Sequence, residues 1–232
     1  MSYRHGKQLT GWSVLIAAIT LSGCGADAVP SNEIAQHERA ELASRMQSSI
    51  EKCKADLSAP ELDPIRQKAD PLRTAADGAP PPALASNDAF PSESELAVIA
   101  KWIKIRDVCM DRFTELLVVP PSVDTFEATA LRETFTLSKL SQSGVGDLII
   151  ALYQQKMAYG EFARKRYELT REAAEINSAL NKAVMERDRQ QLERAQQRLA
   201  NVSARWEADI REIRSRSSRS VNADRGRGPA VR

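Results

Sequence analysis

The chain has 232 residues, with 33 basic and 31 acidic side chains, 2 histidines, 3 cysteines and 28% charged residues. That length suits one domain with a real core, and the near-balance of charge excludes the basic excess that marks a nucleic-acid binder. Aromatics make up only 5% and alternating β-branched runs are absent, so the composition argues against a sheet and for an all-α fold.

Arg4 and Lys7 precede an apolar run from Trp12 to Leu21, which leads into Ser22, Gly23 and Cys24. A positive head, a short apolar stretch and small residues in that order read as a secretory signal over residues 1–23. The run is too short for the roughly 20 residues a membrane-crossing helix needs. Leu21-Ser22-Gly23-Cys24 resembles a bacterial lipobox. In that family the cysteine thiol takes a lipid, the chain is cut before it, and the new amino group is acylated, with palmitate as a typical chain. The resemblance implies a lipid anchor at Cys24 in a Gram-negative envelope. Asp directly after the cysteine retains such proteins at the inner membrane; Gly25 in that place implies the outer membrane and a periplasmic face.

Removing residues 1–23 from 232 leaves 209, and it removes Arg4 and Lys7 but no acid, so 31 basic residues then face 31 acidic ones. His5 goes too. His37 is left as the single histidine, which excludes multi-histidine zinc sites and would leave a nucleophile–histidine hydrolase no other base. No motif points to a metal, a cofactor or a catalytic set.

Residues 24–31 read as the lipidated cysteine and a polar tether. A helical domain follows over 32–215. Its first helix starts at Ser31 or Asn32, both good caps, and carries Leu42, Met46, Ile50, Cys53 and Leu57 on one face. Residues 58–91 hold seven of the eleven prolines. Asp63-Pro64 and Asp70-Pro71 are each a helix-start pair, so one or two short turns are expected, then a loop over 77–91. Ser92 and Glu95 form a capping box. It opens a helix with Ile99, Trp102, Ile105, Cys109, Phe113 and Leu116 on one face, which ends at Pro120-Pro121. Ser122 can start a third helix bearing Phe126, Leu131 and Phe135. Ser143-Gly144-Val145-Gly146 reads as a turn that breaks the chain.

Asp147 begins a short apolar helix, with a kink near Met157–Ala158. Residues 159–214 then carry apolar positions at spacings of mainly three and four, from Phe162 through Leu192, Leu199 and Trp206 to Ile213. Steps of four around Val184, Asp188 and Leu192 fit either a stutter in one helix or a hairpin bend. Neither Gly nor Pro occurs between 161 and 225, which favours one coiled-coil-like helix of roughly 80 Å. Residues 216–232 alternate Arg with Ser, Gly and Ala and read as a disordered, solvated tail.

Cys53 and Cys109 fall on apolar faces of separate helices in a chain addressed to an oxidising compartment. A disulfide between them is expected, with two buried free thiols as the alternative. Tyr159, Phe162, Arg164 and Arg166 form the densest polar-aromatic cluster. It reads either as a packed helix start or as a site for an anionic glycan. Together, Pro91-Ser92-Glu93, Trp102, Arg106, Cys109, Tyr159-Gly160-Glu161-Phe162 and Arg166 resemble an uncharacterised family of exported helical bacterial proteins, over about residues 50–215. No catalytic role transfers from it. Ala158 stands where that pattern suggests a capping Thr.

The sequence thus predicts an all-α helical bundle with a disulfide-linked helix pair and a long C-terminal helix. It is expected to be a non-enzymatic, lipid-anchored adaptor that meets another envelope protein or a second copy through Leu192, Leu199 and Trp206. The alternative is a peptidoglycan- or lipopolysaccharide-binding module using the 159–166 cluster and the Arg-rich tail.

Overall fold

The computed structural model describes residues 31–118 and 125–225, with side chains over 37–38, 40–118 and 125–215. The signal segment, Cys24, the Pro120-Pro121 stop and the proposed Ser122 start lie outside the described residues. Seven α-helices and two short 3-10 turns make up the described residues, with no strand among them. The helices are α1 (Ser31–Leu57), α2 (Asp63–Ala69), α3 (Pro82–Ala85), α4 (Glu93–Thr114), α5 (Thr125–Tyr153), α6 (Tyr159–Glu186) and α7 (Arg189–Arg225). The all-α expectation holds.

Helices α5, α6 and α7 pack against one another as a three-helix bundle; α4 lies on α5, and α1 lies on α4. The proline-rich connection wraps between α4 and α6. The α1 stripe is buried as its spacing requires: Met46, Ile50, Cys53 and Leu57 face inward, and Met46 joins Phe113 and Leu116 of α4 in a small apolar cluster. Ile99, Trp102 and Cys109 of α4 are likewise buried, and Trp102 meets Phe162 edge-on at 5.8 Å. That geometry suits the ring quadrupoles. Cys53 and Cys109 form the expected disulfide, with Cα atoms 5.5 Å apart. Beside it, Arg112 of α4 reaches Asp56 of α1 at 3.0 Å.

Three expectations need correction. First, residues 159–214 are not one helix. Arg187 adopts the left-handed region (φ 50°) and ends α6, and Asp188 caps α7 by accepting from the backbone N–H groups of Gln190 (2.9 Å) and Gln191 (3.2 Å). The chain reverses there, and Trp206 of α7 returns to donate to Glu172 of α6 at 2.8 Å. A hairpin buries both stripes within one chain, where a single projecting helix would leave them exposed. Second, Gly144 and Gly146 do not break the chain; both lie inside α5. They are contact residues: a Cβ on Gly144 would sit 2.5 Å from Leu169 Cδ1, and one on Gly146 would sit 2.8 Å from Arg106 Nη1. Missing side chains here let α6 and an arginine of α4 come close. Third, residues 216–225, expected as part of a disordered tail, continue α7; 226–232 lie outside the described residues.

In the proline-rich segment, Asp63-Pro64 lies at the start of α2, but Leu62 is the N-cap, no side chain caps it, and the Asp63 carboxylate pairs with Arg66 at 2.9 Å instead. Asp70-Pro71 opens nothing, because Asp70 takes the left-handed conformation (φ 41°) that closes α2. The expected loop over 77–91 contains the single-turn helix α3. The Ser92–Glu95 capping box is formed in both directions, Ser92 N–H donating to Glu95 Oε2 at 2.9 Å and Glu95 N–H to Ser92 Oγ at 3.4 Å.

Candidate functional site

Proline removes a backbone donor, so a proline-rich segment leaves carbonyls without helical partners. Arginines supply them. Arg66 donates to Ser58 O (3.1 Å) and Ala59 O (3.0 Å). Arg73 donates to the carbonyls of Asp77, Gly78 and Ala79 at 2.8–3.2 Å. Arg164 reaches Ala85 O. Arg166, fully buried on α6, donates to Ala69 O (3.0 Å), Asp70 O (2.7 Å), Pro71 O (3.3 Å) and Arg73 O. Arg166 thereby caps the C-terminus of α2, where the helix dipole favours a cation. Burial, and after it repulsion from Arg73 and Arg106 set against attraction by Asp70, push its pKa down to about 10. It remains charged at neutral pH.

The start of α6 is built the same way. Ala158 gives no side-chain cap. Instead Tyr159 N–H donates to Ala89 O (3.0 Å) and Gly160 N–H to Asn87 O (2.7 Å). The loop serves as the cap, and this requires glycine at 160, since a Cβ there would lie 2.6 Å from Ala85 O. Tyr159 is buried beside Glu95, and Lys68 lies over its ring at 5.6 Å while pairing with Glu95 at 2.6 Å. Burial, and then the Glu95 charge, push the Tyr159 hydroxyl above its usual pKa range.

The residues singled out as partner contacts are therefore engaged within the fold. Tyr159, Phe162 and Arg166 are buried, and Arg164 holds the α3 turn. Leu192, Leu199 and Trp206 are buried against α5 and α6. Their periodicity marks an intrachain hairpin. Two carboxylates of α6 are also occupied: Glu172 accepts from Trp206 and Arg205, and Glu175 pairs with Arg171 (3.3 Å) and Arg198 (3.5 Å). His37 is exposed on α1.

What the structure does bring together is a half-open cavity of about 790 Å³ where α1, α4, α5 and α6 meet, closed on one side by residues 71–76. Its volume falls within the range of about 300–1,000 Å³ typical of small-molecule sites. Trp102, Arg106, Cys109 and Arg166 line it, four residues of the pattern recognised in the sequence. Thr134, Ser138 and Ser141 line it from α5, and Arg73 from the proline-rich segment. Sequence reasoning missed these. The hydroxyl stripe at spacings of four and three on an otherwise apolar helix face was the available signal; Arg73 gave none.

Among the described residues no helix is long and apolar enough to cross a membrane, and no group of three or more His, Cys, Asp or Glu is placed to hold a metal ion. No protein-family model, no curated protein and no solved structure matches the chain, so its function is argued from its own residues.

Proposed function

We propose that the chain is an exported lipoprotein, acylated at Cys24 and held on the periplasmic face of the outer membrane, where its helical body serves as a structural or adaptor protein without catalytic chemistry. The observation that carries this reading is the Cys53–Cys109 bridge. Such a bond persists in an oxidising compartment, in agreement with the lipobox-like segment ahead of it. Because Leu192, Leu199 and Trp206 are buried, a partner must meet another surface. Phe90, Ile150 and Tyr153 are exposed apolar side chains. Phe90 and Tyr153 flank in sequence the two ends of one tie, Gln155 donating to Pro91 O at 2.7 Å.

The test is metabolic labelling with palmitate, followed by crosslinking in cells. Label should enter the chain and be lost in Cys24→Ser, and a crosslinked partner or second copy should be lost in Tyr153→Glu. Unlabelled wild-type chain would remove the anchor; a chain that crosslinks to nothing would remove the adaptor role. The second reading, an envelope binding module, loses the 159–166 cluster as its site. The cavity supports it instead.

A further inference from the structure

The cavity combines apolar walls with a cluster of arginines. Ile50 of α1, Trp102 and Phe113 of α4, and Leu137 and Ile149 of α5 supply the walls. Six basic side chains border it; Arg171 and Arg198 share Glu175, Lys182 pairs with Glu186, and Arg166 is held by the carbonyls of residues 69–71 and 73, which leaves Arg73 and Arg106 to meet a ligand. Neither Arg73 nor Arg106 has a carboxylate inside the cavity. For Arg106, whose side chain is 15% exposed, the nearest acid is Asp107 at 3.8 Å, which is 63% exposed, and Asp147, which also attracts it, is already paired with Arg214. Arg106 donates to Gln142 O. Arg73 has its terminal nitrogen on the 77–79 carbonyls, but its Nε is buried with no hydrogen-bond partner.

Both guanidinium groups are close enough to Arg166 to repel it. Clustered like charges beside apolar walls are unfavourable in an empty cavity and favourable around an anion. Ile50, Trp102, Leu137 and Ile149 are already buried, so the gain on filling the space comes from a ligand's own hydrocarbon leaving water.

We propose that this cavity binds a single-chain anionic amphiphile, with its acyl chain against Ile50, Trp102, Phe113, Leu137 and Ile149 and its carboxylate or phosphate held by Arg73 and Arg106. The site does not depend on acylation at Cys24 or on where the chain resides. Its selectivity has two parts. Chain length sets affinity, at about fourfold per buried methylene (about 0.8 kcal/mol). Head-group charge sets the preference for an acid over an uncharged alcohol.

The experiment is calorimetric titration of the purified, oxidised, lipid-stripped full chain with dodecanoate, decanoate, dodecanol and lauroyl lysophosphatidylglycerol, the three anions below their micellar concentrations and dodecanol below its solubility limit. Saturable 1:1 binding of dodecanoate is expected, with decanoate and dodecanol each weaker by about tenfold or more. A response to the lysophospholipid, compared with dodecanoate, identifies the preferred head group. Arg106→Met and Arg73→Met should each narrow the acid-over-alcohol preference, read as the ratio of the two affinities in the same variant. Ser138→Phe should fill the cavity and remove binding of both. If both arginine variants fail to fold, Ser138→Phe and the acid–alcohol comparison decide. No saturable binding of either anionic probe, equal affinity for dodecanoate and dodecanol, or a folded Ser138→Phe chain that binds as the wild type does would each overturn the proposal.

Discussion

The C-terminal bundle and the N-terminal layer are held together by different physics. Helices α5, α6 and α7 bury continuous apolar stripes, including Leu148, Leu152, Phe162, Ile176, Leu180, Leu199 and Trp206. Apolar packing dominates their arrangement, and the polar links across it, such as Arg214–Asp147 and the part-buried Trp206–Glu172 bond, add to it. The layer of residues 40–114 has a proline-rich connection with few backbone ladders. It is fixed by discrete links: one disulfide, one capping box, and four arginines that together satisfy carbonyls of residues 58, 59, 69–71, 73, 77–79 and 85. The difference teaches that a segment poor in backbone donors can be ordered by side-chain donors from neighbouring elements. It also places the cavity on the seam between a self-packed half and a tied half.

The strongest way to break this contrast is to cut the covalent link. The bridge closes a loop with a sequence separation of 56. Cys53→Ser should lower stability by about 4 kcal/mol in the chain-entropy account, read from urea unfolding with and without reductant. Arg166→Met should come next, at about 3 kcal/mol or more, because hydrogen bonds to a charged group are each worth about 1.5–3 kcal/mol and several carbonyls lose their donor together. A loss under about 1 kcal/mol would show that the carbonyls find water and that the clamp is incidental.

Two glycines sharpen the comparison. Gly160→Ala drives a Cβ into backbone, Ala85 O at 2.6 Å and Asn87 N at 2.8 Å. It should cost about 2 kcal/mol as an overpacked site. Gly144→Ala in the bundle meets only the end of the Leu169 side chain, which can rotate. The gain in helix propensity of about 1 kcal/mol should leave it within about 1 kcal/mol of the wild type. Equal losses at the two positions would erase the distinction between tied and packed halves.

The smallest effect is a titration. Burial alone would raise the Glu95 pKa, but hydrogen bonds from Lys68 and Ser92, together with the Lys68 charge, outweigh it and hold the carboxyl below its usual value. A carboxyl lowered by folding stabilises the fold above its unfolded pKa of about 4.3, and that contribution disappears as pH falls through the folded value. Acid unfolding should therefore steepen below about pH 4, and Glu95→Gln should flatten that part of the stability profile. An unchanged profile would show that the capping box does not couple to folding.

The helical class, the disulfide and the inward faces of α1 and α4 were legible because apolar spacing and cysteine placement are local signals. The α6–α7 reversal was visible as a phase shift around Asp188. It was read as continuous because Arg187 enters the left-handed region without glycine, held there by the packing of the two stripes. Gly144 and Gly146 misled in the opposite sense: turn residues by composition, they are close-contact residues once Leu169 and Arg106 are in place. Arg166 and Tyr159 were found as a cluster, but their burial was not legible. It depends on carbonyls and a carboxylate contributed from 64 to 97 positions away. Of the cavity only pieces were legible, the Trp102, Arg106, Cys109 and Arg166 pattern and the hydroxyl stripe of α5, because its walls come from α1, α4, α5, α6, a loop and Arg198 of α7.

Hydrogen exchange on the oxidised and the reduced chain tests the contrast between the two halves most directly. Reduction of Cys53–Cys109 should raise exchange across α1, residues 58–91 and α4, while α6 and residues 189–213 of α7 keep their protection. Exchange that rises evenly across the chain, or first in the α6–α7 hairpin, would contradict the account.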